Sequence, residues 1–282
     1  MARIAVVTDS TADLSPELLR EHGVTMVPLN VHIGDETYKD QIEITSREFM
    51  KRLPLARQLP TTSQPAPGQF EETFRTLAAD RDAVLAVLIS SKLSGTIQSA
   101  GIARDAVAAT LDVEIVDSLN ASMGLGLQVV RAARLAASGL GVQDIARRLR
   151  AETNAYHLVF FVDTLEYLQR GGRIGRAASL LGSLIQLKPL LRIDEGQIVP
   201  FERTRTKARA IEGLKSFVKS FPNIAELAIL YSTEQQDAEE LADSLTNAFK
   251  RDRIHIAQFS PVIGTHIGPG ALGVCVYEGE AS

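Results

Sequence analysis

Apolar residues along this chain fall into short unbroken runs separated by longer stretches in helical spacing. Ile4 to Val7 and Ala83 to Ile89 are continuous apolar runs, which suit strands covered on both faces. Ser15-Pro16-Glu17 supplies a cap, a proline at the first helical position and an acid in the first turn, so a helix is expected to start there. A second strand is expected over Thr25 to Ile33, ending at the Gly34-Asp35 turn. Thr45-Ser46 caps a short helix through Leu53, and Pro67-Gly68 opens another with Phe70, Phe74 and Leu77 on one face. A helix over Thr96–Thr110, a strand over Val113–Val116 and a helix over Leu125–Ala137 continue the alternation. This is the rhythm of a parallel sheet with helices on its faces.

After about Ala155 the pattern changes. Leu158–Val162 reads as a strand, and Leu190–Ile193 with Gln197–Phe201 flank Asp194-Glu195-Gly196, a hairpin signal. A helix over Lys207–Phe221, a strand over Leu227–Tyr231, a helix to about Phe249 and strands over Ile254–Phe259 and Gly273–Tyr277 complete the chain. A hairpin within an alternating pattern predicts a mixed sheet. The expected fold class is α/β with two domains, a parallel-sheet α/β/α domain over residues 1–155 and an α/β domain with a mixed sheet over residues 156–282.

Composition narrows the function classes. The 282 residues carry a net charge of −4, which argues against wholesale binding to nucleic acid or a membrane surface. The arginine runs of the second half have no interleaved aromatics, so nucleic acid is not an expected partner. A lone cysteine, Cys275, forms no intrachain disulfide and fits a reducing, cytoplasmic setting. No CxxC or HExxH occurs and the five histidines are not at ligand spacing, so no metal is expected. No Walker A sequence or dinucleotide fingerprint implies a cofactor. The apolar start, Ile4 to Val7, is too short for a signal peptide, and no run is long enough to span a bilayer, so stable membrane insertion is not expected.

The candidate chemistry lies in hydroxyl-rich loops that follow strands: Thr8-Asp9-Ser10-Thr11, Thr61-Thr62-Ser63-Gln64, Ser90-Ser91-Lys92-Leu93-Ser94-Gly95 and Asp117 to Ser122. In a parallel sheet such loops gather on one edge, and hydroxyls with backbone amides suit a carboxylate or phosphate oxygen. Any one of them is equally explained by helix capping. Asp9 is expected to orient a loop or cap a turn, and Asp117-Ser118 to be structural. Two further readings stay open at this point. The loops could cradle the phosphate of a phosphosugar or similar metabolite, or Ser94 and His266 could serve a serine hydrolase, although no GxSxG elbow is present.

The ordered set Val7-Thr8-Asp9-Ser10-Thr11, Thr61-Thr62-Ser63-Gln64-Pro65, Leu93-Ser94-Gly95-Thr96, Leu165 to Gly175 and Gly264 to Gly273 resembles the DegV family over nearly the whole chain. That resemblance implies a non-catalytic protein that holds a long-chain fatty acid in an apolar tunnel between two α/β domains. It also implies a partner, an ATP-dependent fatty acid kinase subunit that converts the presented carboxylate to an acyl phosphate. By the same resemblance the carboxylate falls to Thr62 and Ser94, with Thr61, Ser63, Gly95 and His266 close by. His266 is otherwise a structural histidine in a glycine-proline turn. Arg173, Arg203 and Arg205 are the expected partner-docking residues, against the plain alternative of a solvated face. Met123, Leu125, Leu180, Leu181, Leu184, Ile185 and Leu187 could line such a tunnel, although apolar residues at helical spacing are more often plain core, and Ala177–Leu191 is the expected wall.

Overall fold

The computed structural model describes residues 3–182 and 187–279. Four parallel strands, β1 (Ile4–Asp9), β2 (Val24–Val27), β6 (Ala83–Leu88) and β7 (Asp112–Asp117), form one sheet in the order β2-β1-β6-β7. Every residue of β6 is buried, as its unbroken apolar run requires of a central parallel strand. α1 (Pro16–Glu21), α3 (Pro67–Leu77) and α4 (Thr96–Val107) belong to the crossovers of this sheet.

A second sheet has six strands in the order β10-β9-β8-β13-β11-β12. These are β8 (Tyr156–Phe161), β9 (Leu190–Asp194), β10 (Gln197–Glu202), β11 (Glu226–Tyr231), β12 (Ile254–Gln258) and β13 (Leu272–Tyr277). Only β11 and β12 pair in parallel, so the sheet is mixed. α7 (Glu166–Arg170), α8 (Lys207–Lys219) and α9 (Gln235–Ser244) connect its strands.

The two sheets share a core through α5 (Met123–Ala137), which contacts β1 and β6 on one side and β8, β11 and β13 on the other. That double contact explains why α5 is buried almost all round. One apolar cluster runs from Val6 and Leu85 through Leu125 and Val129 to Leu158, Phe160 and Ala228.

Three features depart from the sequence expectation. Thr25–Ile33 is two strands rather than one. After β2 the chain reaches Pro28, which has no N–H to extend a ladder, and β3 (Asn30–Ile33) joins a third, antiparallel sheet of order β4-β3-β5 with β4 (Glu36–Lys39) and β5 (Thr61–Ser63). The loop expected at Thr61–Ser63 is thus a strand. α6 (Val142–Glu152), not anticipated above, buries Val142, Ile145, Ala146 and Leu149 at helical spacing. Gly264 to Ile267 lies not in a tight turn but in α10 (Pro261–Ile267), capped by Ser260 and opened by Pro261. α10 packs on α7 and on α2 (Ser46–Arg52).

Gly126 on α5 is where close approach matters most. A Cβ there would meet the Ala12 carbonyl oxygen at 2.5 Å. Gly126→Ala should therefore destabilise the protein by about 1–3 kcal/mol, because backbone cannot yield as a side chain can. Urea titration of the variant, with Gly101→Ala as an open-space control, checks it.

Candidate functional site

An apolar cavity lies where the loops of the parallel sheet, the small sheet, α10 and the β9–β10 hairpin meet. Most of its wall is aliphatic or aromatic: Leu29, Ile89, Leu158, Phe160, Ile198 and Phe259 are representative. Thr62, Ser63, Gln64, Ser94, Ser122, Arg173 and His266 are its polar members.

β5 brings Thr62 to this wall. Its register on β3 sets Thr62 opposite Val31 and Thr61 opposite His32, so alternation separates Thr62 from Thr61. Thr61 is exposed and does not line the cavity. Ser63 lines it, with its hydroxyl bonded to Asn30 Nδ2 at 3.2 Å and His32 Nε2 at 3.0 Å. Ser94 Oγ lies 2.9 Å from Thr96 Oγ1 at the start of α4. Gly95, between them, does not line the cavity. The Gln64 side chain occupies the space beside it, where a Cβ would stand 2.9 Å from Nε2.

His266 Nε2 is 2.9 Å from Thr62 Oγ1. Its other ring nitrogen, Nδ1, is shut off from solvent without a partner. Gly171 makes room for that nitrogen, since a Cβ there would sit 2.2 Å from it. Burial, and then the positive charge of Arg173, push the imidazole pKa down to about 4, so the ring is neutral near pH 7. A neutral ring carries one N–H. Leaving a buried N–H without an acceptor costs more than leaving a lone pair bare, so the proton belongs on Nε2 and is donated to Thr62. The Thr62 hydroxyl proton is then free to point at a ligand.

Arg173 lies in the cavity wall, donating from Nε to the Leu93 carbonyl at 3.0 Å and from Nη1 to the Gly171 carbonyl at 2.8 Å. Arg203 and Arg205, after β10, are exposed and away from the cavity. Thus Thr62, Ser63, Ser94, Arg173 and His266 come together, while Thr61, Gly95, Arg203 and Arg205 do not share that wall.

The cavity is lined by other residues than the expected tunnel wall. Met123, Leu125 and Leu180 belong to the shared core, and neither they nor Leu181 and Leu187 line the cavity. Leu184 and Ile185 lie outside the described residues. Helical spacing marked these residues as apolar but could not separate core from cavity. The lining comes from strands, the loops that follow them, α7 and α10, with Ser122 the member least expected.

Asp9 both caps the turn over Ser10–Ala12, accepting from Thr11 N at 3.0 Å, and accepts from Ile89 N at 2.8 Å. Asp117 accepts from Leu119 N at 2.9 Å, and Ser118 Oγ bonds within its own loop, both structural roles. Ser94 and His266 make no hydrogen bond with each other, and no carboxylate orients His266, so the nucleophile–base–orienter arrangement of a serine hydrolase is not formed. Among the described residues no cluster of ligating side chains could hold a metal, and no helix is long and apolar enough to cross a membrane.

The tautomer has two consequences. Nitrogen NMR should find the His266 proton on Nε2, with no protonation until the pH approaches 4. Because this pKa lies below the unfolded value, the stability it contributes is present above about pH 6.5 and lost as pH falls towards 4. Denaturant titrations should show the gap between wild type and His266→Gln shrinking across that window.

A family model described as "Uncharacterised protein, DegV family" matches residues 3–279. Protein DegV of Bacillus subtilis is 36% identical over 278 residues, covering 96% of this chain and 98% of that protein. A DegV domain-containing protein of Streptomyces coelicolor is 39% identical, covering 97% and 98%. Among solved structures, a fatty-acid-binding DegV family protein from Thermus thermophilus superposes with a TM-score of 0.90 at 36% identity, covering 98% of this chain and 99% of that one. DegV of Bacillus subtilis, described as a fatty acid binding protein, superposes at 0.88 with 35% identity, covering 98% and 100%. By sequence and by fold, this chain belongs to the DegV family.

Proposed function

We propose that this protein binds one long-chain fatty acid, holds its carboxylate at Thr62, Ser94 and Arg173 with His266 orienting the Thr62 hydroxyl, and presents it to a separate ATP-dependent kinase subunit for conversion to an acyl phosphate. The observation that carries this reading is a largely aliphatic cavity in which a threonine hydroxyl, tied to a neutral histidine, stands in the same wall as an arginine and a serine. Relatives of the same fold described as fatty-acid-binding support it.

The physical case has two parts. Burying about fifteen methylenes at roughly 0.8 kcal/mol each offers on the order of 12 kcal/mol before entropic costs, enough for firm retention. Hydroxyl donors orient a carboxylate without the bidentate clamp of a fully committed guanidinium, leaving an oxygen able to react. Arg173 already gives two of its five N–H groups to backbone carbonyls, which leaves three, those of Nη2 among them, for an anion. A division at residue 155 would assign the hydroxyl loops to one unit and the wall of β8 to β10 to the other. The protein itself supplies no catalysis in this reading. A phosphometabolite is disfavoured by the aliphatic wall, which would desolvate a phosphorylated sugar without pairing its hydroxyls.

Arg203 and Arg205, exposed and without ion-pair partners among the described residues, are the proposed docking residues for the kinase. The position of Arg173 in the cavity wall favours a ligand-facing role for it over docking. Palmitate titration should show Thr62→Ala/Ser94→Ala and Arg173→Ala binding at least about tenfold more weakly than wild type. An Arg203→Ala/Arg205→Ala variant should keep its palmitate affinity and lose acyl phosphate formation when a fatty acid kinase and ATP are added. Unchanged palmitate affinity in the Thr62/Ser94 variant would refute the head-group assignment.

A further inference from the structure

We propose that Asp13 is a positioning residue for the acyl-chain cavity: it turns the hydroxyl proton of Ser122 away from the cavity, so that a bound chain meets no unpaired donor there. The inference rests on the lipid-binding reading above and concerns a part of the wall distinct from Thr62 and Ser94.

Ser122 precedes α5 and shares the cavity lining with the apolar Ala121, Val262 and Ile263. Its hydroxyl donates to Asp13 Oδ2. The other oxygen, Oδ1, accepts from Ser260 N at 3.0 Å. Asp13 is 4% exposed and Ser122 1%. Ser122 holds a backbone that non-glycine residues rarely adopt, φ 52 and ψ −144, while Asp13 at φ 53 and ψ 28 sits in the left-handed region that aspartate tolerates. Strain at the Ser122 end of a hydrogen bond between residues 109 apart points to a contact the fold is built to keep.

The chemistry follows from which partners can reverse. An ionised Asp13 accepts from both groups, and the Ser122 proton is committed to it. A protonated Asp13 must carry its proton on Oδ2, because Ser260 N–H can only donate to Oδ1. Oδ2–H then donates to Ser122 Oγ, and the Ser122 proton has to find an acceptor on the cavity side. Water can serve in an empty cavity; an alkyl chain cannot. Chain binding is thereby linked to ionisation of Asp13.

Burial raises the Asp13 pKa to about 7 against the opposing hydrogen bonds of Ser122 and Ser260. Other acids face it too: Asp9 at the end of β1 and Asp40 after β4, both also raised by burial. α5 and α10 face it with Ser122 and Ser260. On its far side Asp13 borders an outer cleft lined by Ser15, Gln41, His255 and Gln258, a route for protons that does not pass through the lipid cavity.

Palmitate affinity measured by calorimetry across pH 6 to 8, roughly one unit either side of the Asp13 value, tests this in four proteins. Wild type should bind more weakly as the pH falls, and Ser122→Ala should show a markedly flatter profile. Asp13→Asn places an amide N–H permanently against Ser122 Oγ while its oxygen still accepts from Ser260. It should bind about tenfold more weakly at every pH, the scale of one buried unpaired hydroxyl. Adding Ser122→Ala to Asp13→Asn should restore affinity, which a general loss of packing would not. Equal pH profiles in wild type and Ser122→Ala overturn the proposal, as does an Asp13→Asn defect that Ser122→Ala leaves in place. If Asp13→Asn fails to fold, the wild-type and Ser122→Ala profiles still decide it. Palmitate binding by none of the four would sink the lipid reading itself.

Discussion

The hydrogen bond between Thr62 and His266 joins two residues 204 apart in sequence, and the polar part of the cavity depends on it. One end hangs on β5, a three-residue strand whose pairing with β3 sets Thr62 opposite the buried Val31. The other hangs on α10, a short helix that would be marginal alone and draws its stability from tertiary contacts. Its N-terminus is gripped by Ser260 Oγ on Ile263 N, by Asp13 on Ser260 N and by Asp40 on Val262 N. The neutrality of His266 is part of the same device. A charged imidazole would have to share its pocket with Arg173, and a neutral one leaves the threonine hydroxyl free to donate.

Three buried carboxylates, Asp9, Asp13 and Asp40, sit among the loops around the cavity, and each is raised in pKa chiefly by burial. Their proximity adds like-charge repulsion. For an acid whose folded pKa lies above its unfolded value, stability declines as pH rises through that interval. Such groups are poor sources of stability at neutral pH. What they supply is position: each fixes backbone amides or a hydroxyl of a different wall element, Ile89, Ser122 and the start of α10.

Much of this was legible in the sequence, for identifiable reasons. The unbroken run at Ala83–Leu88 could only be a doubly covered strand, and Asp194-Glu195-Gly196 could only turn the chain sharply: Glu195 and Gly196 both have positive φ. Thr62, Ser94 and His266 stood out through the ordered motifs. The cavity wall did not, because Met123 and Ile263 look alike as apolar helical residues, and only three-dimensional packing buries one wholly in the core and sets the other in the cavity wall. Ser122 was hidden for a related reason, as its role depends on Asp13, 109 residues away. α10 was hidden among glycines, though Ser260-Pro261 is an ordinary helix start. Arg173 illustrates the remaining gap, since an arginine run gives no sign of which member turns inward.

The central claim is that the cavity holds a fatty acid. Native mass spectrometry of the purified protein, followed by solvent extraction and identification of what is released, tests it most directly. About one fatty acid per chain, extractable into organic solvent, is the expected result for a largely apolar cavity of this kind. A protein that is empty even after incubation with fatty acid, or that releases a polar phosphorylated metabolite, would contradict it.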